Sequence, residues 1–396
     1  MSDDSATAQA SIMMVAGEAS GDLLGAMLLE ELRSLLSRPV EAMGIGGPRM
    51  QAQGFVSHGE MNQLSVIGVA EVIGRLPGLI RLFRRLVALL RERRPQLLVT
   101  IDLPDFNLLL AGRARSLGIP VVHYVSPQVW AWRRGRVRRI AAKVDHLLAL
   151  FPFEPAIYEG SALPVTFVGH PLARLIQTAE PGSGEAWEER QRLRRDAGVG
   201  EGESLVAILP GSRLSEWHRH AGLMVTACER LRQGRPGTHF VLALADNLSS
   251  HLAKDFPWLV VKGRTQAVLA AADAALVASG TATLEAALVG TPMVVVYRTS
   301  WATYEIGRRV IRVDSISLVN LVAGRVLVPE RIQGEATPEI LAHDLSRILD
   351  DPSVAARMRQ GFAEIRSKLA APARSAAAVV ADFLLHRPGV PVDGGA

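Results

Sequence analysis

Short runs of Val, Ile and Leu recur along this chain with helical patterns between them, and that alternation constrains the fold more than any other feature. SIMMVAG, VEAMGIG, QLLVTID, VVHYVSP, HLLALFP and VTFVGHP follow one another up to residue 172. After a pause the pattern restarts as LVAILPGS, HFVLALAD, WLVVKG, AALVASG and PMVVVYR. A strand with one wet face alternates apolar and polar residues. Runs apolar at nearly every position need cover on both faces, which means parallel sheets sandwiched by helices. The pause, RLIQTAEPGSGEAWEERQRLRRDAGVGEGES, is polar and Gly-rich and reads as a connector with a surface helix. The expectation is an α/β chain of two Rossmann-like domains facing across a cleft, residues 1–172 and 173–396. The second ends in a helical tail from about 336, broken at Pro352. A length of 396 residues suits two such cores.

Composition excludes several classes. With 48% hydrophobic and 21% charged residues the chain is folded rather than disordered. A net charge of +5 does not demand a polyanion partner. The single cysteine, Cys228, lies in the helix-like GLMVTACERLR and reads as a small buried hydrophobe in a reducing compartment. MSDDSATAQAS has neither a basic start nor an apolar stretch, so export is not expected. No uncharged apolar run approaches the roughly 20 residues that cross a bilayer. The expected location is the cytoplasm, or the cytosolic face of a membrane.

Familiar nucleotide and metal signatures are missing. GIGGPRM does not fit GxGxxG, and there is no GxxxxGK[ST], DxD, CxxC or HExxH. His218 and His220 in EWHRH are spaced i,i+2 and are expected to face solvent. No metal and no cofactor are expected. IDLPDFN instead places Asp102 and Asp105 where a buried parallel strand should end, the edge at which α/β folds bind ligands. Two readings compete there, helix capping and a catalytic base. In the second block, ILPGSR ends a strand in Gly211, Ser212 and Arg213, which supply a tight turn, polar donors and a guanidinium fork for phosphate. ASGTATLE ends another at Ser279 and Gly280, with a helix starting at Thr281 or Thr283, a setting for a pyrophosphate. Glu285, one turn in, is placed to accept the hydroxyls of a ribose.

The segment LSVIGVAEVIGRLPGLIRLFRRLVALLRERR (64–94) is amphipathic. Leu79, Leu82, Phe83, Leu86 and Leu90 share one helical face, while Arg81, Arg84, Arg85 and Arg91 occupy the other. It reads either as a covering helix with a solvated basic face or as a helix that meets an anionic membrane surface. Arg133, Arg134, Arg136, Arg138 and Arg139 form a second basic cluster, next to Trp130 and Trp132. Nucleic acid is not expected, because no stacking ladder or recognised binding pattern accompanies the charge.

VAGEASGD (15–22), GGPRM (46–50), IDLPDFN (101–107), HYVSPQVWAWRRGR (123–136), FVGHPL (167–172), LPGSR (209–213), ASGTATLE (278–285) and NLVAGR (320–325) stand in the order and spacing of the lipid-A-disaccharide synthase family, which the chain resembles from about residue 12 to 335. Val319 in SLVNL stands where the family has proline. The resemblance implies a GT-B type inverting glycosyltransferase, peripheral to the inner membrane of a Gram-negative cell. It would join UDP-2,3-diacylglucosamine to 2,3-diacylglucosamine 1-phosphate. It implies that Asp102 is the base and Asp105 a helix cap. Gly211, Ser212, Arg213, Ser279, Gly280, Thr281, Thr283, Glu285 and Asn320 would bind the UDP-sugar. Glu18, Ser20, Gly21, Asp22, His123, Gln128 and His170 are candidates for the cleft. Leu79, Arg81, Leu82, Phe83, Arg84 and Arg85 would face the membrane, and a homodimer stays open beside a monomer. Two other readings remain. One is another metal-free UDP-sugar enzyme of this architecture, an epimerase included; the other is a non-catalytic protein that binds at a membrane surface.

Overall fold

A computed structural model describes residues 9–64, 69–127, 136–176, 184–299, 304 and 315–385. Its contacts divide the chain into two units, 1–169 with 372–396 and 170–371.

The first unit carries a seven-stranded sheet in the order β3-β2-β1-β4-β5-β6-β7. The strands are β1 (Ala10–Ala16), β2 (Val40–Ile45), β3 (Val56–Ser57), β4 (Leu97–Ile101), β5 (Val121–Tyr124), β6 (His146–Ala149) and β7 (Val165–Phe167), all paired in parallel. Every residue of β4 is buried, as a strand with helices on both faces requires. Helix α1 (Ala19–Leu35) follows β1, α2 (Pro48–Ala52) follows β2, α3 (Val69–Arg93) precedes β4, and α4 (Pro104–Ser116) follows it. The chain order reverses between β1 and β4, whose ends pair at Ala16 and Ile101. Ligands of open α/β sheets bind at such a reversal, beyond the strand C-termini.

The second unit repeats the design in six parallel strands, order β10-β9-β8-β11-β12-β13. These are β8 (Ser204–Leu209), β9 (Thr238–Leu244), β10 (Leu259–Lys262), β11 (Ala274–Ala278), β12 (Met293–Tyr297) and β13 (Glu330–Ile332). Its reversal falls between β8 and β11, where Leu209 pairs with Val277. These two strands end in the LPGSR and ASGT segments.

The polar connector lies in the second unit, with a helix at Glu185–Asp196 that buries Leu193. One sequence expectation changes here. The tail does not stay with that unit. Pro352 opens the helix Pro352–Ala370 rather than merely interrupting one, and the last helix, Ala376–Leu385, packs on α1 of the first unit. Asp382 is the one charged residue of that helix and stays exposed, while Ala377, Val379, Val380 and Leu384 are all buried in the core shared with α1.

Candidate active site

Asp102 follows the last residue of β4 and takes a left-handed backbone, φ 52°, as does Leu103 at φ 48°. Two successive non-glycine residues in that region are costly, and such outliers gather at functional sites. Three contacts hold the corner. The Asp102 amide donates to the Tyr124 carbonyl at 2.9 Å. The buried Asn107 amide, one turn into α4, donates to the Asp102 carbonyl at 2.7 Å and to that of Ile101 at 3.2 Å. Leu103 lies over Gly17, where an added Cβ would sit 2.1 Å from Leu103 Cδ1. Only glycine at the end of β1 lets the corner close.

The corner leaves the Asp102 carboxylate half-buried, with no ion-pair partner among the described residues. Burial raises its pKa above the ordinary carboxylate value, and a backbone hydrogen bond from Leu103 opposes part of the rise. A group poised this way can accept a proton. Asp105 differs. It is exposed and ion-paired with Arg136, and it sits inside the first turn of α4, whose N-cap is Leu103. It complements the helix dipole rather than capping the helix.

The other candidates of the first unit separate. Glu18 and Ser20 are exposed at the start of α1. Gly21 is buried, and a Cβ there would lie 3.3 Å from that of Ala16, so it lets the helix close on its strand. Asp22 is buried and accepts from the amides of Gly47, Arg49 and Met50 at 2.8–3.0 Å, which caps α2 from a distance instead of α1. Its oxygens are thereby engaged. His123 is wholly buried beside β4, Nδ1 2.7 Å from Thr100 Oγ1, and burial lowers its pKa to about 4. Gln128, Trp130, Trp132, Arg133 and Arg134 lie outside the described residues.

In the second unit the LPGSR turn has its own acid. The Ser212 and Arg213 amides donate to Glu216 Oε2 at 2.9 and 3.2 Å, and a Cβ on Gly211, whose φ is 120°, would lie 2.4 Å from the same oxygen. The expected backbone donors are therefore occupied, and Glu216 shapes the turn. The exposed Arg213 guanidinium is the group left for an anion, with Glu216 Oε1 at 3.5 Å as a loose partner. Glu216, at the third position of the helix, bonds back to the N-cap amide of Arg213 as in a capping box, but with arginine in place of the usual Ser or Thr the sequence does not signal it.

The helix Thr281–Val289 begins at Gly280, which offers no side-chain cap, and Thr281 is exposed. Thr283 is buried, its hydroxyl donating to the Gly280 carbonyl at 2.8 Å, so it closes the turn. Ser279 Oγ reaches the Ile316 carbonyl at 3.4 Å. Glu285 is half-buried and its pKa is raised by burial.

Asn320 plays a different part from the one expected. Nδ2 donates to Val328 O and Glu330 Oε1 at 2.9 and 2.7 Å, and Oδ1 accepts from Leu327 and Val328 at 2.8 and 3.0 Å. Two donors and two acceptor sites are thus filled within the unit. Glu330 also accepts from the Ile316 and Ser317 amides and the Ser317 hydroxyl. Val319, in the family's proline position, is completely buried in the short helix so anchored.

Two histidines were misplaced or unresolved by sequence. His218 is exposed as expected, but His220 is buried, bonded to the Pro210 carbonyl and the Arg298 amide, each at 3.0 Å. It ties the turn after β8 to the end of β12. His170 caps the helix Pro171–Leu175 at the start of the second unit, accepting from Leu172 at 3.2 Å.

The supposed membrane face of α3 is mostly core. Leu82 is 4% exposed, Leu79 packs on the same cluster, and Phe83 meets Phe106 edge-on at 5.8 Å. Arg81, Arg84 and Arg85 are exposed. The apolar stripe is consumed by the sheet it covers, which a helical wheel cannot reveal. No described helix is long and apolar enough to span a bilayer, and no metal-binding cluster occurs among the described residues.

The comparisons agree with this geometry. Lipid-A-disaccharide synthase of Anaeromyxobacter dehalogenans is 43% identical over 371 residues, covering 91% of this chain and 94% of that one. Among solved structures, a glycotransferase of kitacinnamycin aligns over 95% of this chain and 98% of its own, at 19% identity and a TM-score of 0.61. The UDP-GlcNAc 2-epimerase of Neisseria meningitidis aligns over 96% and 100%, at 11% identity and 0.59. Both show the GT-B fold alone. A profile described as lipid-A-disaccharide synthetase matches residues 12–382, nearly the whole chain, and with the two sheet reversals and their loops it establishes that this chain belongs to the lipid-A-disaccharide synthetase family of glycosyltransferases.

Proposed function

We propose that the chain transfers the sugar of UDP-2,3-diacylglucosamine to the 6-hydroxyl of 2,3-diacylglucosamine 1-phosphate, with inversion. The products are a β-1,6-linked disaccharide 1-phosphate and UDP. The observation that carries this reading is Asp102, held at the β1/β4 reversal by a left-handed corner, half-buried, with a raised pKa. Asp102 takes the hydroxyl proton as the acceptor oxygen bonds to the anomeric carbon. The bond from that carbon to the diphosphate breaks, and its electron pair leaves with UDP.

In the second unit Arg213 and the open N-terminus of the helix Thr281–Val289 offset the charge on the leaving diphosphate. Glu285 accepts from the ribose hydroxyls. Asn320 acts through the loop it anchors. No observation favours the epimerase reading. An epimerase needs no acceptor, so UDP release that depends on the diacylated acceptor supports transfer, and release without it contradicts transfer.

The proposed location is the cytosolic face of the inner membrane. Arg81, Arg84 and the half-exposed Ile80 of α3 support it, together with the apolar sequence VIGVAEVIG that leads into them.

A further inference from the structure

The first unit contains a pocket of about 520 Å³ whose lining includes Gly46, Gly47, Ser57, His58, Glu60 and Arg85. It lies beyond the C-terminal ends of β2 and β3, on the same edge of the parallel sheet as Asp102. Only β1 separates β2 from β4, so the two strand ends are roughly 10 Å apart at the usual inter-strand spacing. Packing joins the places. A Cβ on Gly17 would touch both Leu64, which follows the pocket rim, and Leu103.

The donor set of the pocket is restricted. The amides at the start of α2 are taken by Asp22, and the Ser57 hydroxyl is engaged with the carbonyls of Gly46 and Gly59. Arg85, His58 and the second N–H of Gln51, whose Nε2 donates to the Gly46 carbonyl at 3.4 Å, are the side-chain donors left for a ligand. Arg85 is the one permanent cation of the lining and has no ion pair among the described residues. Glu60, on the same rim, opposes a bare anion and favours a ligand that also brings hydroxyl or amide donors. A sugar phosphate meets both demands, and an arginine fork suits its phosphate. Arg85 reaches the rim because Leu82, one turn earlier, is buried against Gly59, where an added Cβ would lie 3.1 Å from Leu82 Cδ1.

We propose that this pocket receives the 1-phosphate of the acceptor sugar, with Arg85 as its fork and Glu60 on the sugar, so that the far end of the same hexose is presented to Asp102. The assignment rests on the transferase reading above and gives Arg85 a different task from Arg81 and Arg84.

The test compares two acceptors in mixed micelles, the diacylglucosamine 1-phosphate and its 1-hydroxyl analogue. In the wild type, kcat/KM should favour the phosphate, and Arg85→Gln should lower that preference about ten- to a hundredfold. The loss should fall on KM, and Arg85→Lys should restore part of it. Parallel losses on both acceptors, or none, would overturn the assignment. A second measurement stands apart from turnover: titration of the full chain with glucosamine 1-phosphate, followed by ³¹P line broadening. Binding that weakens in Arg85→Gln supports the pocket even if neither acceptor is turned over, in which case it is the transferase reading that fails. Equal binding by wild type and variant, or inorganic phosphate competing as well as the sugar phosphate, contradicts it.

Discussion

Asn107 reaches back from the first turn of α4 to the carbonyl of Asp102 at 2.7 Å, so the helix that follows the proposed base also holds the base's backbone. Removing the amide frees two carbonyls beside a strained corner. Asn107→Ala should cost about 1–3 kcal/mol of stability and lower turnover more than it changes UDP affinity. Denaturant melts beside UDP titration check this; turnover at the wild-type level would show that the corner stands without the amide.

Arg213→Ala should weaken UDP binding and lower turnover, since Arg213 is the exposed cation of its loop. Chelation with EDTA should leave wild-type activity unchanged. If activity vanishes with EDTA and returns with Mg²⁺ or Mn²⁺, the leaving group is stabilised by a metal and the assignment fails.

Asn320→Ala should act through stability. It leaves the Leu327 and Val328 amides without their side-chain acceptor and the Val328 carbonyl without its donor, at about 1–3 kcal/mol for each group left unpaired. Thermal unfolding reads the loss. A variant as stable as wild type but unable to bind UDP would return Asn320 to the ligand.

His123 has a folded pKa of about 4 against 6.5 for the free side chain. Between those values the unfolded chain binds a proton that the folded chain does not, so stability falls as pH drops from about 6.5 towards 4. The full effect is on the order of 3 kcal/mol. His123→Gln should flatten that part of the curve, measured by urea melts at pH 7, 5.5 and 4.5. An unchanged slope would mean that His123 takes up its proton equally in the folded and unfolded chain, so that burial does not shift it.

On α3, Arg81→Gln combined with Arg84→Gln should reduce sedimentation with anionic vesicles by roughly tenfold or more, at about 1 kcal/mol per arginine. Added salt should mimic the change, because screening shortens the reach of both charges. Sedimentation that ignores both treatments would place any lipid contact elsewhere.

Both sheets were legible in the sequence because continuous Val, Ile and Leu runs have few other solutions in a soluble chain. The placing of Asp102 directly after a strand, and of Arg213 in the turn after one, was legible because both come just beyond such runs. Partnerships over distance were not. Asp22 serves α2, 25 residues and more away, and Glu330 gathers Ser317 and Asn320 from an earlier segment. Polar side chains at loop ends look alike in sequence whether they meet a ligand or a neighbouring amide. The tail was misassigned for a related reason, since a helical pattern does not say which unit its buried face will join.

The central claim is that Asp102 removes the acceptor proton in a sugar transfer. The most direct measurement incubates wild type and Asp102→Asn with both diacylated substrates and follows UDP and disaccharide by mass spectrometry across pH. Wild type should form the two products together, with activity falling on the acid side above the ordinary carboxylate range, as the raised pKa of Asp102 requires. Asp102→Asn should lose about 10²- to 10⁴-fold in turnover while still binding UDP. Near-wild-type disaccharide formation by Asp102→Asn, with the loss appearing instead in Asp105→Asn, would contradict the account.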